Sequence, residues 1–262
     1  MSKAKEIIND INLTNQIIRL IDRANKAIME IYYHTDKKVI TKNNNTPLTE
    51  ADLAANDILN KGLEKILPNI PVVSEENEES LSIPQRNNIF WLIDPLDGTK
   101  EFINRNNEFT CNLALIENNR TRLGFVGIPS KELIYYGGKI FGSKCINKFN
   151  KISNVKYKSK SGICRVVASK SHLNKETKNF IESINMPTEL IQTGSSLKFI
   201  KIAEGLADIY PRLAPTSEWD TAAAQAILEG AGGKVTQLNG EDITYGKINI
   251  LNPFFIAKGN IL

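Results

Sequence analysis

Four acids stand where this sequence reads as changing direction: Glu75, Asp94, Asp97 and Asp220. In Asp94-Pro-Leu-Asp97-Gly-Thr99 the first acid closes an apolar run, Pro95 stiffens the turn, and Asp97 follows three residues on, so both carboxylates can face one point. Gly98 and Thr99 then open a short helix through Phe102, and the unpaired N–H groups of a helix start are a seat for a phosphate oxygen. Ser74-Glu75-Glu76 ends another apolar run in acid, and Trp219-Asp220-Thr begins a small-residue helix. Two ionised carboxylates ~5 Å apart repel by roughly 3 kcal/mol at an effective dielectric of ~20. Gathered together, such groups need protons or cations between them, and oxygen-only ligands favour Mg²⁺ or Mn²⁺ over zinc. Each acid also has a plain alternative: turn formation or N-capping for Asp94, Asp97 and Asp220, and a solvent-facing loop for Glu75.

Bulk properties leave room for this chemistry without demanding it. The 262 residues are enough for a buried core, with 41% hydrophobic and 24% charged positions, as in soluble globular proteins. The longest apolar runs fall far short of the ~20 residues of a membrane span. Met-Ser-Lys-Ala-Lys-Glu at the start lacks the features of a secretory signal, which makes the cytoplasm the expected location. Cys111, Cys145 and Cys164 are odd in number and lack metal-site spacing, so no disulfide framework is expected. Between Lys139 and Lys170 there are nine Lys or Arg residues and no acid, either a solvated stretch or an anion-attracting one.

The elements that must position these acids can be read from periodicity. A helix is expected over Ile7–Tyr33, then a polar loop from Lys42 to Thr46, a second helix from Thr49-Glu-Ala-Asp52 to Ile66, and a short strand over Pro71–Glu76. Asn77 to Asn88 is expected to be a loop, and Ile89–Ile93 a strand covered on both faces. Strands over Asn112–Glu117, Arg122–Ile128 and Glu132–Tyr136 form a meander. From Ile163 the texture alternates: strand to Ala168, helix over Lys175–Ile184, strand over Glu189–Gln192, helix over Ser195–Glu204, strand over Ala207–Tyr210, helix over Thr221–Leu228, strand over Lys234–Thr236. The fold class is α/β, with an α+β lobe over 1–155 and an α/β lobe over 156–262, divided near Val155.

In the second lobe, Ser195 and Ser196 at a helix start, Lys198 one turn in, and Arg212 after a strand can converge on a second phosphate, with Ser169 and His172 joining them. Their plain alternatives are an N-cap, a solvated helix residue, a surface ion-pair partner and loop residues.

Three ordered motifs, Ser74-Glu75-Glu76, Trp91-Leu-Ile-Asp94-Pro-Leu-Asp97-Gly-Thr99 and Trp219-Asp220-Thr-Ala-Ala-Ala, resemble those of the lithium-sensitive inositol monophosphatase superfamily. Asp97-Gly-Thr-Lys100-Glu101-Phe102, Ser169-Lys-Ser-His172, Gly194-Ser-Ser-Leu-Lys198 and Asp208-Ile-Tyr-Pro-Arg212 are similar to the 3'(2'),5'-bisphosphate nucleotidases of the CysQ type. The resemblance implies a layered α-β-α-β-α sandwich of the sugar phosphatase type. It implies that Glu75, Asp94, the Leu96 carbonyl, Asp97 and Asp220 bind two or three Mg²⁺ ions, Mn²⁺ serving as an alternative. It further implies that Asp52 holds Thr99, whose hydroxyl orients the attacking water together with Glu75. Thr49 to Asp52 reads equally well as a capping box. Substrate contacts are implied for Leu96, Asp97, Gly98, Thr99, Ser169, His172, Gly194, Ser195, Ser196, Lys198, Arg212 and Asp220. Lys170 departs from the Arg of many relatives and lacks its two-pronged geometry.

The expected partner is a small phosphate ester, adenosine 3',5'-bisphosphate foremost, hydrolysed to AMP and phosphate with lithium sensitivity. No nucleic acid is expected, no motif specifies an oligomer, and the inner face of the cell membrane is an alternative location. An inositol monophosphatase or other sugar phosphatase of the same fold is the nearest rival, and a non-catalytic nucleotide or nucleic-acid binder is the rival from another class.

Overall fold

The computed structural model describes residues 2–33, 39–41, 47–158, 162–169 and 173–260. The chain starts with two helices, α1 (Lys3–Asn9) and α2 (Ile11–Tyr33), where periodicity alone suggests a single one from Ile7. Asp10 breaks the run: its backbone is extended, and its carboxylate accepts the Asn12 and Leu13 N–H groups at 2.9 and 3.1 Å to start the second helix. A small antiparallel pair follows, β1 (Val39–Thr41) and β2 (Pro47–Thr49). The polar loop Lys42 to Thr46 lies outside the described residues. α3 (Glu50–Ile66) stops one residue before Leu67-Pro68, as proline requires.

A seven-stranded sheet is then assembled in the spatial order β3 (Val72–Ser74), β4 (Ile89–Asp97), β5 (Thr110–Glu117), β6 (Arg120–Ile128), β7 (Leu133–Gly138), β8 (Gly142–Asn147) and β9 (Ile152–Val155). Only β3 and β4 are parallel. The segment expected to be loop between them contains a 3₁₀ helix, Glu78–Gln85. The short helix α4 (Thr99–Ile103) leaves the end of β4. β8 and β9 fall inside the lysine-rich stretch, and β9 exposes all but Val155, so no alternation marks it in the sequence.

The second sheet has five strands in the order β11 (Thr188–Gln192), β10 (Cys164–Ala168), β12 (Ile209–Arg212), β14 (Phe255–Lys258) and β13 (Lys234–Gln237). β10, β11 and β12 run parallel, while β14 is antiparallel to both its neighbours. Between these strands come α5 (Lys175–Glu182), α6 (Leu197–Ala203) and α7 (Ala222–Gly230).

Alternation along β4 shows how the layers stack. Trp91 and Ile93 join Ile17, Ile21, Leu59 and Leu63 of α2 and α3 in one core, whereas Phe90 and Leu92 join α6, α7 and the five-stranded sheet in the other. The order is therefore helices α1–α3, seven-stranded sheet, helices α6 and α7, five-stranded sheet, with α5 packed against β12. Helix α7 is seated closely on β6, where a Cβ at Gly124 would stand 2.1 Å from the Ala223 carbonyl oxygen. The hydroxyls of Thr121 and Ser143 also donate to its Ala222 and Ile227 carbonyls at 2.9 and 2.7 Å.

Candidate metal centre

The parallel pair β3/β4 and the start of α7 bring three acids together. Glu75 follows β3 with its N–H donating to the Ile93 carbonyl at 3.2 Å; Asp94 lies in β4; Asp220 precedes α7. One oxygen from each lies within 4.8 Å of the others. Ser74 helps fix the end of β3 by donating to the Asn56 side chain on α3 at 2.7 Å. Asp94 is 1% exposed, and its Oδ1 accepts the Leu96 N–H at 3.1 Å, so the turn-forming role that asparates commonly play is realised alongside the clustering. The β4/β5 register slips between Asp94 and Asp97, and beyond this irregularity Asp97 reaches the start of α6. There its Oδ2 accepts the Ser196 N–H at 2.5 Å.

Burial and mutual repulsion define the electrostatics. Burial first, then Glu75, Asp97 and Asp220, hold the Asp94 carboxyl well above the usual carboxylate range. Burial also raises Asp97 to about 6, against the pull of Lys198 and the Ser196 N–H. Asp220 is pushed up to about 8 by burial and by the charges of Asp97 and Glu75. Asp97 and Asp220 are partly exposed, and both line the neighbouring cleft. Asp220 does not cap α7, since the residue at that position is Thr221; its Oδ2 accepts the Ser217 N–H at 2.8 Å instead. A group of acids with only oxygen donors, none neutralised within the cluster, fits a hard divalent cation.

Asp52 serves two ends at once. Its Oδ2 completes a capping box, accepting the Thr49 N–H at 2.7 Å and hydroxyl at 2.6 Å, while its Oδ1 accepts the Thr99 hydroxyl at 3.3 Å. The two sequence readings of Thr49 to Asp52 are thus compatible. Thr99 also stands 3.3 Å from the Leu96 carbonyl, and Gly98 turns the chain ahead of α4 in the left-handed region, at φ +92°.

A cleft beside the acids is lined by Asp97, Gly98, Ser169, Gly194, Ser195, Lys198, Arg212 and Asp220, and also by Glu101, Tyr210 and Thr216. Roomier hollows of about 790 and 540 Å³ lie elsewhere, around Arg120 and Glu229 and around Asp22 and Asn147, away from the clustered acids. Lys198 is 6% exposed, not a solvated helix residue; its ammonium donates to the Ser195 carbonyl at 2.6 Å and lies 5.5 Å from the Tyr210 ring centre. Burial lowers it to about 8, against the opposing charge of Asp97. Arg212 donates to the Ala214 and Pro215 carbonyls at 3.1 and 2.6 Å, which aims the guanidinium along the cleft wall.

Leu96, Thr99 and Ser196 sit behind that wall. α6 begins two residues later than expected, at Leu197, with Ser196 as its cap and Ser195 in the left-handed region at φ +47°. The Ser196 hydroxyl turns inward, 2.8 Å from Thr110 Oγ and 3.0 Å from Asn112 Oδ1. Asn112, opposite Asp94 in the sheet and 1% exposed, has an amide nitrogen with no partner among the described residues. Neither Asn112 nor Glu101 was signalled as a site residue by spacing alone; Glu101 was visible only as part of the Lys100-Glu101-Phe102 motif. His172 and Lys170 lie outside the described residues.

A layered α-β-α-β-α sandwich with an acid centre at the strand ends is the architecture of a phosphatase fold. The chain belongs to the inositol monophosphatase family, whose model matches residues 10–260. It is 38% identical over 248 residues to the 3'(2'),5'-bisphosphate nucleotidase CysQ of Shigella flexneri, covering 93% of this chain and 98% of that one. Identity to the protein of the same name from Buchnera aphidicola is 39%, covering 97% of both. Among solved structures it is similar to CysQ from Bacteroides thetaiotaomicron, a bacterial member of the same family, with a TM-score of 0.82 and 34% identity, covering 95% of this chain and 98% of that one. A Thermotoga maritima IMPase shares the fold at 22% identity, with a TM-score of 0.78 and coverage of 95% and 92%.

Proposed function

We propose that this chain is a 3'(2'),5'-bisphosphate nucleotidase that hydrolyses adenosine 3',5'-bisphosphate to AMP and inorganic phosphate. The observation that carries the proposal is the convergence of Glu75, Asp94 and Asp220 beside a cleft holding Lys198 and Arg212. The near full-length likeness to proteins named for that activity supports the substrate class.

In this reading Glu75, Asp94, the Leu96 carbonyl, Asp97 and Asp220 hold two or three Mg²⁺ ions, for which Mn²⁺ can substitute. When bound, the ions supply the positive charge that lowers the pKa of water and offsets charge on the phosphoryl group. The protein's own groups set the geometry. Asp52 holds the Thr99 hydroxyl, and that hydroxyl with Glu75 orients a water in line with the scissile bond. The water oxygen bonds to phosphorus as the ester P–O bond breaks, and the proton that this water gives up ends on the departing sugar oxygen, so that ester and water become alcohol and inorganic phosphate. Gly98 and Thr99 offer backbone N–H groups to the phosphoryl oxygens. Ser169, His172, Gly194, Ser195, Ser196, Lys198 and Arg212 hold the rest of the substrate, the two cations facing the second phosphate. The ions and attacking water thus belong mainly to 1–155, and substrate choice to 156–262.

No helix among the described residues is long and apolar enough to cross a membrane, and a cytoplasmic location suits a nucleotide substrate. The test is a phosphate-release panel comparing adenosine 3',5'-bisphosphate with inositol 1-phosphate, with and without chelator. Preference for the nucleotide and loss with chelator are expected; a clear preference for inositol phosphate would overturn the choice of substrate.

A further inference from the structure

The cleft carries one carboxylate that neither the acid cluster nor ion pairing accounts for. Glu101, in the first turn of α4, is half-buried on the wall shared by Asp97, Lys198, Arg212 and Asp220. Its stem lies over Gly194, where an added Cβ would stand 2.7 Å from Glu101 Cγ and 3.0 Å from Cδ. Its Oε2 reaches toward Gly98, whose own added Cβ would be 3.4 Å away. An acid at this helix position often bonds back to the cap residue's N–H. Glu101 makes no such bond, and its side chain has no hydrogen bond or ion pair among the described residues. It is also outside the three acids close enough to share a cation. Glycine at 194 thus gives room for a carboxylate that is held in the cleft with its oxygens uncommitted.

An ionised carboxylate accepts hydrogen bonds and cannot donate them. Beside a bound phosphate it is repulsive, so it must face a part of the substrate that donates. In a bisphosphate nucleotide the phosphates and ring nitrogens accept; the donors are the ribose hydroxyl and the exocyclic amine of the base. Only the hydroxyl sits on the carbon next to the scissile phosphate, so a phosphate resting against the acids brings it to this wall. The 2'-phosphate isomer offers the same pair with positions exchanged, a phosphate and a cis hydroxyl on neighbouring carbons, and one acceptor serves both.

Building on the nucleotidase reading above, we infer that Glu101 accepts a hydrogen bond from the ribose hydroxyl vicinal to the scissile phosphate, making it a specificity residue that selects ribonucleotide over deoxyribonucleotide bisphosphates. A hydrogen bond to a charged acceptor corresponds to about 10- to 100-fold in kcat/KM. The test measures kcat and KM for adenosine 3',5'-bisphosphate and 2'-deoxyadenosine 3',5'-bisphosphate at saturating Mg²⁺, with the wild type, Glu101→Gln and Glu101→Ala. The wild type is expected to prefer the ribonucleotide by that factor. Glu101→Ala should bring the ratio to within about threefold by losing activity on the ribonucleotide alone, and Glu101→Gln, which keeps a neutral acceptor, should fall between. Equal wild-type turnover of both nucleotides, or equal losses on both in the variants, would overturn the inference while leaving the nucleotidase reading intact. A wild type that releases phosphate from inositol 1-phosphate but from neither nucleotide would overturn both. The wild-type ratio requires no substitution, so a variant that folds poorly does not remove the test.

Discussion

Two of the places where the described residues bury acidic charge treat it in opposite ways. At the foot of β12, Asp208 is 3% exposed and Arg165 8% exposed, and the guanidinium meets the carboxylate with Nε at 2.9 Å and Nη2 at 2.5 Å. The Arg165 N–H and the Tyr157 hydroxyl add bonds at 2.8 and 3.0 Å. Burial works to raise the Asp208 pKa, yet the hydrogen bonds from Arg165 and Tyr157 outweigh it and the net shift is downward. At the acid centre burial acts in the same direction and other acids add to it, so Asp94, Asp97 and Asp220 are all raised, Asp97 against the pull of Lys198 and the Ser196 N–H. Charge that supports the fold finds its counterpart inside the chain. The clustered acids have no such counter-charge within their group, and in the proposed function it is supplied by a cation from outside.

The sharpest way to break that contrast is to remove a charge from each place. Asp97→Asn keeps the side-chain volume and relieves repulsion, so the protein should melt no lower than the wild type in the absence of metal. Its phosphate release should drop by about 100- to 1,000-fold at saturating Mg²⁺; near-normal turnover would remove Asp97 from the site. Asp208→Asn should do the reverse. It leaves Arg165 buried without its counter-charge, at a cost of about 3–5 kcal/mol in urea unfolding, while kcat per folded molecule stays within about twofold. An Asp208→Asn protein that is stable but inactive would mean that the two regions are not separate in role.

A smaller effect sharpens the same comparison through pH. The raised pKa values of Asp97 and Asp220 mean that the folded, metal-free protein binds protons the unfolded chain has released. Stability from these groups is full below about pH 4 and is lost as pH rises through about 6 and about 8. Asp208 has the opposite sign, contributing above the unfolded carboxylate pKa and losing its contribution as pH falls through its lowered value. For the chelated protein, Asp97 alone, shifted by roughly two units, corresponds to about 3 kcal/mol in full, of which roughly half is lost between pH 5 and pH 8, or a Tm lower by about 3–6 °C at pH 8 than at pH 5. Added Mg²⁺ should restore most of this at pH 8. A chelated protein that melts higher at pH 8 than at pH 5 would contradict the assignment of those shifts.

The strand ends that carry the acids were legible in the sequence, the Arg165–Asp208 side of the contrast was not, and the reasons are physical. Strands that end in acid announce themselves because a covered strand is apolar throughout and its polar end stands out; Ile89–Ile93 before Asp94 is such a case. β9 gave no signal because three of its four residues face solvent and only the β8 partner defines it. β14 is an interior strand of its sheet, between β12 and β13, but the run Phe254–Ala257 is an isolated apolar tetrad with no periodicity to distinguish it. The inward turn of the Ser196 hydroxyl toward Thr110 and Asn112 joins residues more than eighty positions apart, which no local pattern encodes. The same holds for Glu101 lying over Gly194. The Arg165–Asp208 pair was missed because each residue alone resembles an ordinary surface charge.

The seating of α7 on β6 at Gly124 has a consequence for anyone altering this protein. The helix that begins just after Asp220 rests on bare backbone, so the sheet acts as its anvil, and a single methyl at position 124 would wedge the whole rod upward. A residue outside the cleft lining therefore sets how closely the helix behind Asp220 can approach the sheet, and libraries that vary only the lining of the proposed site would overlook it.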